Sequence, residues 1–156
     1  HLNLPTLNLP LIIAFIIAKA ISVYDRRMRR LGIDYGRKRV GVALSDVEGN
    51  FAYPLVVLAN DSKLLPRITE ICQSEGVGEI VLGESLNFRR KRNPIMQAIL
   101  KFKTKLEIDL GLPTFLEDES LTSREAGYEL GQDAMLDARA AAIILRSFIE
   151  RQRNKK

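Results

Sequence analysis

From residue 28 onward the hydrophobic positions fall into short runs and helical stripes, separated by Gly, Pro and Asn. Arg30 to Tyr35 and Arg39 to Ser45 are rich in Val, Ile and Leu and flank Gly36-Arg37-Lys38. That spacing predicts a hairpin with a glycine-assisted turn. Phe51 to Leu58, after Glu48-Gly49-Asn50, predicts a third antiparallel strand. Asp61-Ser62 predicts the cap of a helix running to about Ser74, with Leu64, Leu65, Ile68, Ile71 and Cys72 on one face. Glu79 to Gly83 reads as a short buried strand, and Asn87 to Asn93 as a polar, basic loop. Asn93-Pro94 has the form of a helix cap and first helical residue, which predicts a long helix ending near Gly111. Leu112 to Glu117 predicts another strand, and Thr122-Ser123-Arg124-Glu125 is a capping box that opens a short helix. Asp137 to Arg151 predicts the last helix, whose Ala140-Ala141-Ala142 run permits close packing on a sheet. Three strands, helix, strand, helix, strand and then helices is an α/β arrangement with a mixed sheet.

The first 27 residues follow a different rule. Leu9 to Tyr24 is almost wholly apolar, interrupted by Lys19 and followed by Asp25-Arg26-Arg27. A spanning helix needs about 20 apolar residues, and this run is shorter and carries a charge. A secretory signal places positive charge before its apolar run and a small-residue cleavage site after it, and neither is evident. Met28 immediately precedes the first strand. Residues 1–27 therefore read as an extension outside the domain, from an upstream translation start or, failing that, a membrane anchor. Residues 28–150 read as the domain, and 151–156 as a basic tail.

Composition narrows the chemistry. A length of 156 residues suits one domain, and 24 Lys plus Arg against 19 Asp plus Glu give a net charge of +5. This mild basic excess fits a polyanionic partner without requiring one. The single Cys excludes an internal disulfide and a Cys-rich zinc site. The one His is residue 1, which argues against a His-based triad, a His-ligated zinc or a His general base. Chemistry must come from carboxylates, Lys, Arg, hydroxyls or bound metal.

Four acidic positions stand out. Asp34 lies in an otherwise apolar strand just before a Gly turn, where an unpaired buried carboxylate would cost several kcal/mol. Glu84 follows the strand EIVLG, Asp118 and Glu119 follow PTFLE, and Asp137 begins the last helix. Any one alone reads sooner as a cap or a solvated turn. Together, at strand ends where α/β sheets build sites, they predict a cluster suited to a hard, oxygen-preferring ion such as Mg²⁺ or Mn²⁺.

The segments Gly32 to Asp46 (GIDYGRKRVGVALSD), Val81 to Phe88 (VLGESLNF), Glu117 to Ala126 (EDESLTSREA) and Asp137 to Glu150 (DARAAAIILRSFIE) resemble the YqgF/RuvX family over roughly Met28 to Glu150. Proteins of that family are described as Holliday junction resolvases or pre-16S rRNA nucleases. The resemblance implies a ribonuclease H-like α/β fold: a five-stranded mixed sheet, three antiparallel strands then two parallel, flanked by helices. It also implies metal-binding acids at strand ends and on the last helix. By position, Asp34, Glu119 (or its neighbour Asp118) and Asp137 match the family's acidic motifs. The family usually has Gly-Leu-Pro where this chain has Gly83-Glu84-Ser85. This puts Glu84 where related RuvC-type resolvases carry a second catalytic carboxylate. The family's Asp-Glu-Arg is here Asp118-Glu119-Ser120, with Arg124 or Arg89 as substitutes for the missing charge.

These readings predict a cytoplasmic, divalent-metal-dependent nuclease with Asp34, Glu84, Asp118, Glu119 and Asp137 as catalytic residues. Asp34, Glu84, Glu119 and Asp137 would be the ligands of Mg²⁺ or Mn²⁺. Lys38, Arg39, Arg89, Arg90, Lys91, Arg92 and Arg124 would contact nucleic-acid phosphates, giving salt-sensitive affinity without base readout. Tyr35 reads as a stacking residue or as half-buried packing, Lys101, Lys103 and Lys105 as a solvent face, and Cys72 as inert core. The expected substrate is precursor rRNA, with the small ribosomal subunit as a partner, or else branched DNA. The oligomeric state is open between monomer and homodimer. Two rivals remain: a non-catalytic RNA-binding factor of the same fold, and an actin- or sugar-kinase-like ATPase, for which the chain is too short to supply a second domain.

Overall fold

The computed structural model describes residues 9–24, 28–85, 94–118 and 134–155, apart from the side chains at 15 and 18–24. The hairpin forms where the spacing puts it: β1 (Arg29–Tyr35) and β2 (Arg39–Ser45) pair antiparallel, and Gly36 N–H closes the turn on the Arg39 carbonyl at 3.0 Å. β3 (Ala52–Ala59) pairs antiparallel with β2. Its turn is tied by the Asp46 carboxylate, which accepts from the N–H groups of Asn50 (2.6 Å) and Phe51 (2.8 Å). β4 (Val77–Glu84) and β5 (Thr114–Asp118) then run parallel to β1, giving a five-stranded sheet in the order β3-β2-β1-β4-β5. The mixed sheet expected from the sequence is present.

Four helices are described: α1 (Leu9–Tyr24), α2 (Leu64–Glu75), α3 (Met96–Leu110) and α4 (Leu136–Asn154). Both α2 and α3 stop at a glycine in the left-handed region, Gly76 (φ 65°) and Gly111 (φ 64°), a conformation that costs a residue without Cβ little. Two starts differ from expectation. Asp61 is not the N-cap of α2; its carboxylate receives Lys63 N–H at 2.9 Å, one turn-residue earlier. α3 begins at Met96, and Pro94-Ile95 form a turn before it. The expected cap residue Asn93, the basic loop and the Thr122 capping box lie outside the described residues.

The sheet is covered on both sides. On one face Leu31, Ile33, Val40, Val42, Leu44, Ile80 and Leu82 pack against Leu64, Ile68 and Cys72 of α2 and Met96, Ile99, Phe102 and Leu106 of α3. Cys72 is part of this core, and burial pushes its thiol up to about 11 from 9.0. On the other face Ala43 and Val81 meet Ala141, Ile144, Leu145, Phe148 and Ile149 of α4. α1 exposes Leu9, Leu11, Ile13, Ile16 and Ile17. Its 16 residues span about 24 Å at 1.5 Å each. Among the described residues no helix is long and apolar enough to cross a membrane.

Candidate active site

Because β1, β4 and β5 are parallel, their C-terminal ends lie at one edge of the sheet, and β2 starts from that same edge. Asp34, Arg39, Glu84 and Asp118 therefore share an edge by topology alone. Which of them can cooperate is decided by the pleat, since alternate residues point to opposite faces.

Along β1, Leu31, Ile33 and Tyr35 belong to the α2–α3 core, and the Tyr35 and Phe102 rings lie 5.0 Å apart. Tyr35 is thus half-buried packing. The intervening Gly32 faces α4, where a Cβ would come within 2.8 Å of the Ala141 carbonyl and Leu145. Asp34 shares the parity of Gly32 and so faces α4 as well. Opposite Asp34 in the register is Gly41 of β2, whose Cβ would lie 1.8 Å from the Asp137 carbonyl oxygen. Only a glycine lets the first turn of α4 rest directly on the strand at this point. Asp34 and Asp137 are in this way neighbours across one backbone. A glycine inside a strand is a sequence signal for such a close approach, and Gly41 carried it unread in the Arg39 to Ser45 run.

Arg39 has the parity of Gly41 and also faces α4. Its Nε donates to Asp137 Oδ2 at 2.9 Å. The side chain of Arg39 is 64% exposed and that of Asp137 26%. Asp137 also stands in the first turn of its helix, where the exposed N–H groups favour negative charge. The sequence marked Arg39 for phosphate and did not show that it holds an acid of the site.

The other two described acids are elsewhere. Glu84 is two residues beyond Leu82, which lies in the α2–α3 core, and it pairs in register with Asp118. Leu116, two residues before Asp118, packs on that same core. The pleat therefore assigns Glu84 and Asp118 to the face away from Asp34 and Asp137. Among the described residues no group of three or more His, Cys, Asp or Glu is placed to hold one ion. By register, the described acids at this end of the sheet lie two by two, Asp34 and Asp137 toward α4 and Glu84 and Asp118 on the other face. Glu119, Arg89, Arg90, Lys91, Arg92 and Arg124 lie outside the described residues. Lys38 is exposed in the hairpin turn.

Glu117 is the acid of this segment whose role is structural. It is buried on β5 and accepts from Ser147 Oγ at 3.0 Å and from the Arg151 guanidinium, tying β5 to α4. Arg151 in turn lies over the Phe148 ring, 5.8 Å from its centre.

Residues 28–151 match the family model RuvX, described as Holliday junction resolvase. The chain belongs to the RuvX family. A relative from Orientia tsutsugamushi (strain Ikeda), named "Putative pre-16S rRNA nuclease", is 34% identical over 149 residues, covering 90% of this chain and 95% of the relative. A protein of the same name from Desulforudis audaxviator (strain MP104C) is 36% identical over 137 residues, covering 81% and 97%. Among solved structures, Thermus thermophilus RuvC in complex with a Holliday junction substrate is similar with a TM-score of 0.56 at 17% identity, covering 81% of this chain and 96% of RuvC. That likeness shows the fold, which is ribonuclease H-like as the resemblance implied. Membership of RuvX makes the chain a nuclease, a hydrolase of phosphodiester bonds with nucleic acid as its substrate.

The oxygen-only donor set of Asp34 and Asp137 fits a hard dication. Mg²⁺ is commonly held by one or two carboxylates, with water and substrate phosphate completing its shell. Asp137 already draws a cationic group to its carboxylate. Both observations suit a site that recruits positive charge.

Proposed function

We propose that this RuvX nuclease is divalent-metal-dependent and trims the 5′ end of precursor 16S rRNA, with residues 28–150 as the nuclease domain. The observation that supports the active-site reading is the contact of the Asp137 carbonyl with Gly41, the register partner of Asp34. The curated relatives named for pre-16S rRNA support the substrate.

In this reading Asp34 and Asp137 hold the ion. Glu119 joins them as the acid that follows Asp118 in the sequence and matches the family's acidic motif. Glu84 and Asp118 stand behind the sheet edge and act on the site electrostatically. When bound, a divalent ion there supplies Lewis acidity and a more acidic water. Asp34 orients what enters from the β1 side, held by the rigid central strand. Asp137 is fixed from the opposite side by the helix packed on Gly41. The domain lacks a His to serve as base, so the carboxylates beside the ion take its place. Lys38, Arg39 and the run Arg89 to Arg92, with Arg124, bind the phosphate backbone and position the strand without reading bases.

The test is cleavage of a precursor 16S rRNA fragment and of a four-way DNA junction, with Mg²⁺ or Mn²⁺ and with chelator. Metal-dependent trimming of the rRNA 5′ extension by the wild type, lost in Asp34→Asn, is the expected result. Cutting of the junction alone would overturn the substrate, and no cutting of either would leave a binding factor.

A further inference from the structure

The ion pair between Arg39 and Asp137 occupies a carboxylate that the proposed function assigns to the metal. Arg39 is the first residue of β2, its backbone fixed by the 3.0 Å bond from Gly36 N–H, and its side chain shares the face of Gly41. Contact is made through Nε, edge-on, at 2.9 Å, and the Arg39 side chain stays 64% exposed.

We propose that Arg39 is the placeholder cation of the site: it neutralises Asp137 while no metal is bound, gives up that carboxylate when a dication arrives, and then binds substrate phosphate. This inference rests on the metal-dependent reading above and assigns a role within it. Three physical points carry it. A carboxylate meant for a dication is stabilised by another positive charge while the metal is absent, and among the described ion pairs the cation on Asp137 is Arg39. A pair with one well-exposed partner is weakly bound, typically by a small factor in equilibrium constant, so a doubly charged ion displaces it. Once released, the planar donor fork of Arg39 matches a phosphate better than a carboxylate held from one side. Metal and nucleic acid are then cooperative ligands, because each removes a cost the other would have met.

Free-Mn²⁺ EPR titration of the full chain, without nucleic acid, tests the first half. Arg39→Gln removes the competing charge and is expected to tighten Mn²⁺ binding about three- to ten-fold, whereas Arg39→Lys, which keeps the charge, stays near wild type. Fluorescence polarisation with a cleavage-resistant phosphorothioate RNA oligonucleotide tests the second half. Arg39→Gln is expected to weaken RNA binding about three- to ten-fold with Mn²⁺ present and to leave it little changed without metal, where Asp137 holds the side chain. A merely structural arginine would not tighten the metal on its removal. If Arg39→Gln binds Mn²⁺ no better than wild type, or loses RNA affinity equally with and without metal, the inference is wrong. Should that happen while Asp137→Asn abolishes Mn²⁺ binding, the metal reading stands and only the role of Arg39 falls. If wild type and Asp137→Asn alike fail to bind Mn²⁺, both fall.

Discussion

On the α2–α3 face the sheet meets its helices through Leu, Ile, Val, Met and Phe side chains, whereas on the α4 face the sheet offers Gly32, Gly41, Ala43 and Val81, and α4 answers with Ala138 and Ala141. The first interface is thick. It removes much apolar area from water, and every position in it contributes to stability in proportion to that area. The second is thin where α4 begins: helix backbone touches strand backbone at Gly41, and the Asp137 carboxylate meets Arg39 on β2, the strand paired with the one carrying Asp34. Further along α4, Ile144, Leu145, Phe148 and Ile149 bury apolar area on this face too, while its first turn is given over to the close approach beside Asp34.

Substitutions on the two faces should therefore fail in different ways. Asp34→Asn, on the α4 face, is expected to lower metal-dependent cleavage by about 10³-fold with little change in melting temperature, because it removes a ligand and leaves the packing intact. Glu84→Gln, on the opposite face, should cost less than about ten-fold, since a carboxylate behind the sheet acts only through its field. Equal losses in a parallel kinetic assay would erase the distinction between the two acid pairs. In the thick core, Leu82→Ala or Ile99→Ala should destabilise the fold by about 2–5 kcal/mol in urea titrations, without a specific effect on cleavage per folded molecule.

Gly41→Ala sits between these extremes. Its methyl group would meet the Asp137 carbonyl, and lifting α4 to relieve that contact should cost about 1–3 kcal/mol and also reduce cleavage per folded molecule. A stable, fully active Gly41→Ala protein would show that the close approach is dispensable. Arg151→Ala removes the charged partner of buried Glu117 at a half-exposed position, and a loss of about 1 kcal/mol is expected by thermal denaturation.

The smallest effect belongs to Cys72. Its folded value of about 11 lies above the ordinary 9.0, so the thiol is protonated in both states below pH 9 and adds no pH dependence there. Between about pH 9 and 11 only the unfolded chain ionises, so stability falls as pH rises through that window. Cys72→Ala should flatten this decline in denaturant midpoints.

Much of the fold was legible because the hydrophobic period reports burial directly. The hairpin, the third strand, the two later strands and the helices between them followed from alternation and from Gly36 and Gly111. Boundaries slipped where local chemistry had two uses. Asp61 makes a turn rather than the cap of α2, and Pro94 precedes α3 by two residues. At the site, Asp34 and Asp137 could be singled out as carboxylates at element ends. That Glu84 shares its face with Leu82 was readable from a spacing of two, yet which helix covers that face was not.

The succession of strands and helices along the chain, the identity of the acids and the absence of a His within the domain came from the sequence by itself, because each depends on residue type and on spacing within one element. The grouping of those acids, the seating of α4 on Gly41 and the grip of Arg39 on Asp137 were decided by tertiary structure. They depend on which face of the sheet each helix covers, and that is set by packing between segments roughly a hundred residues apart in the chain, a relation that spacing within any one segment does not encode.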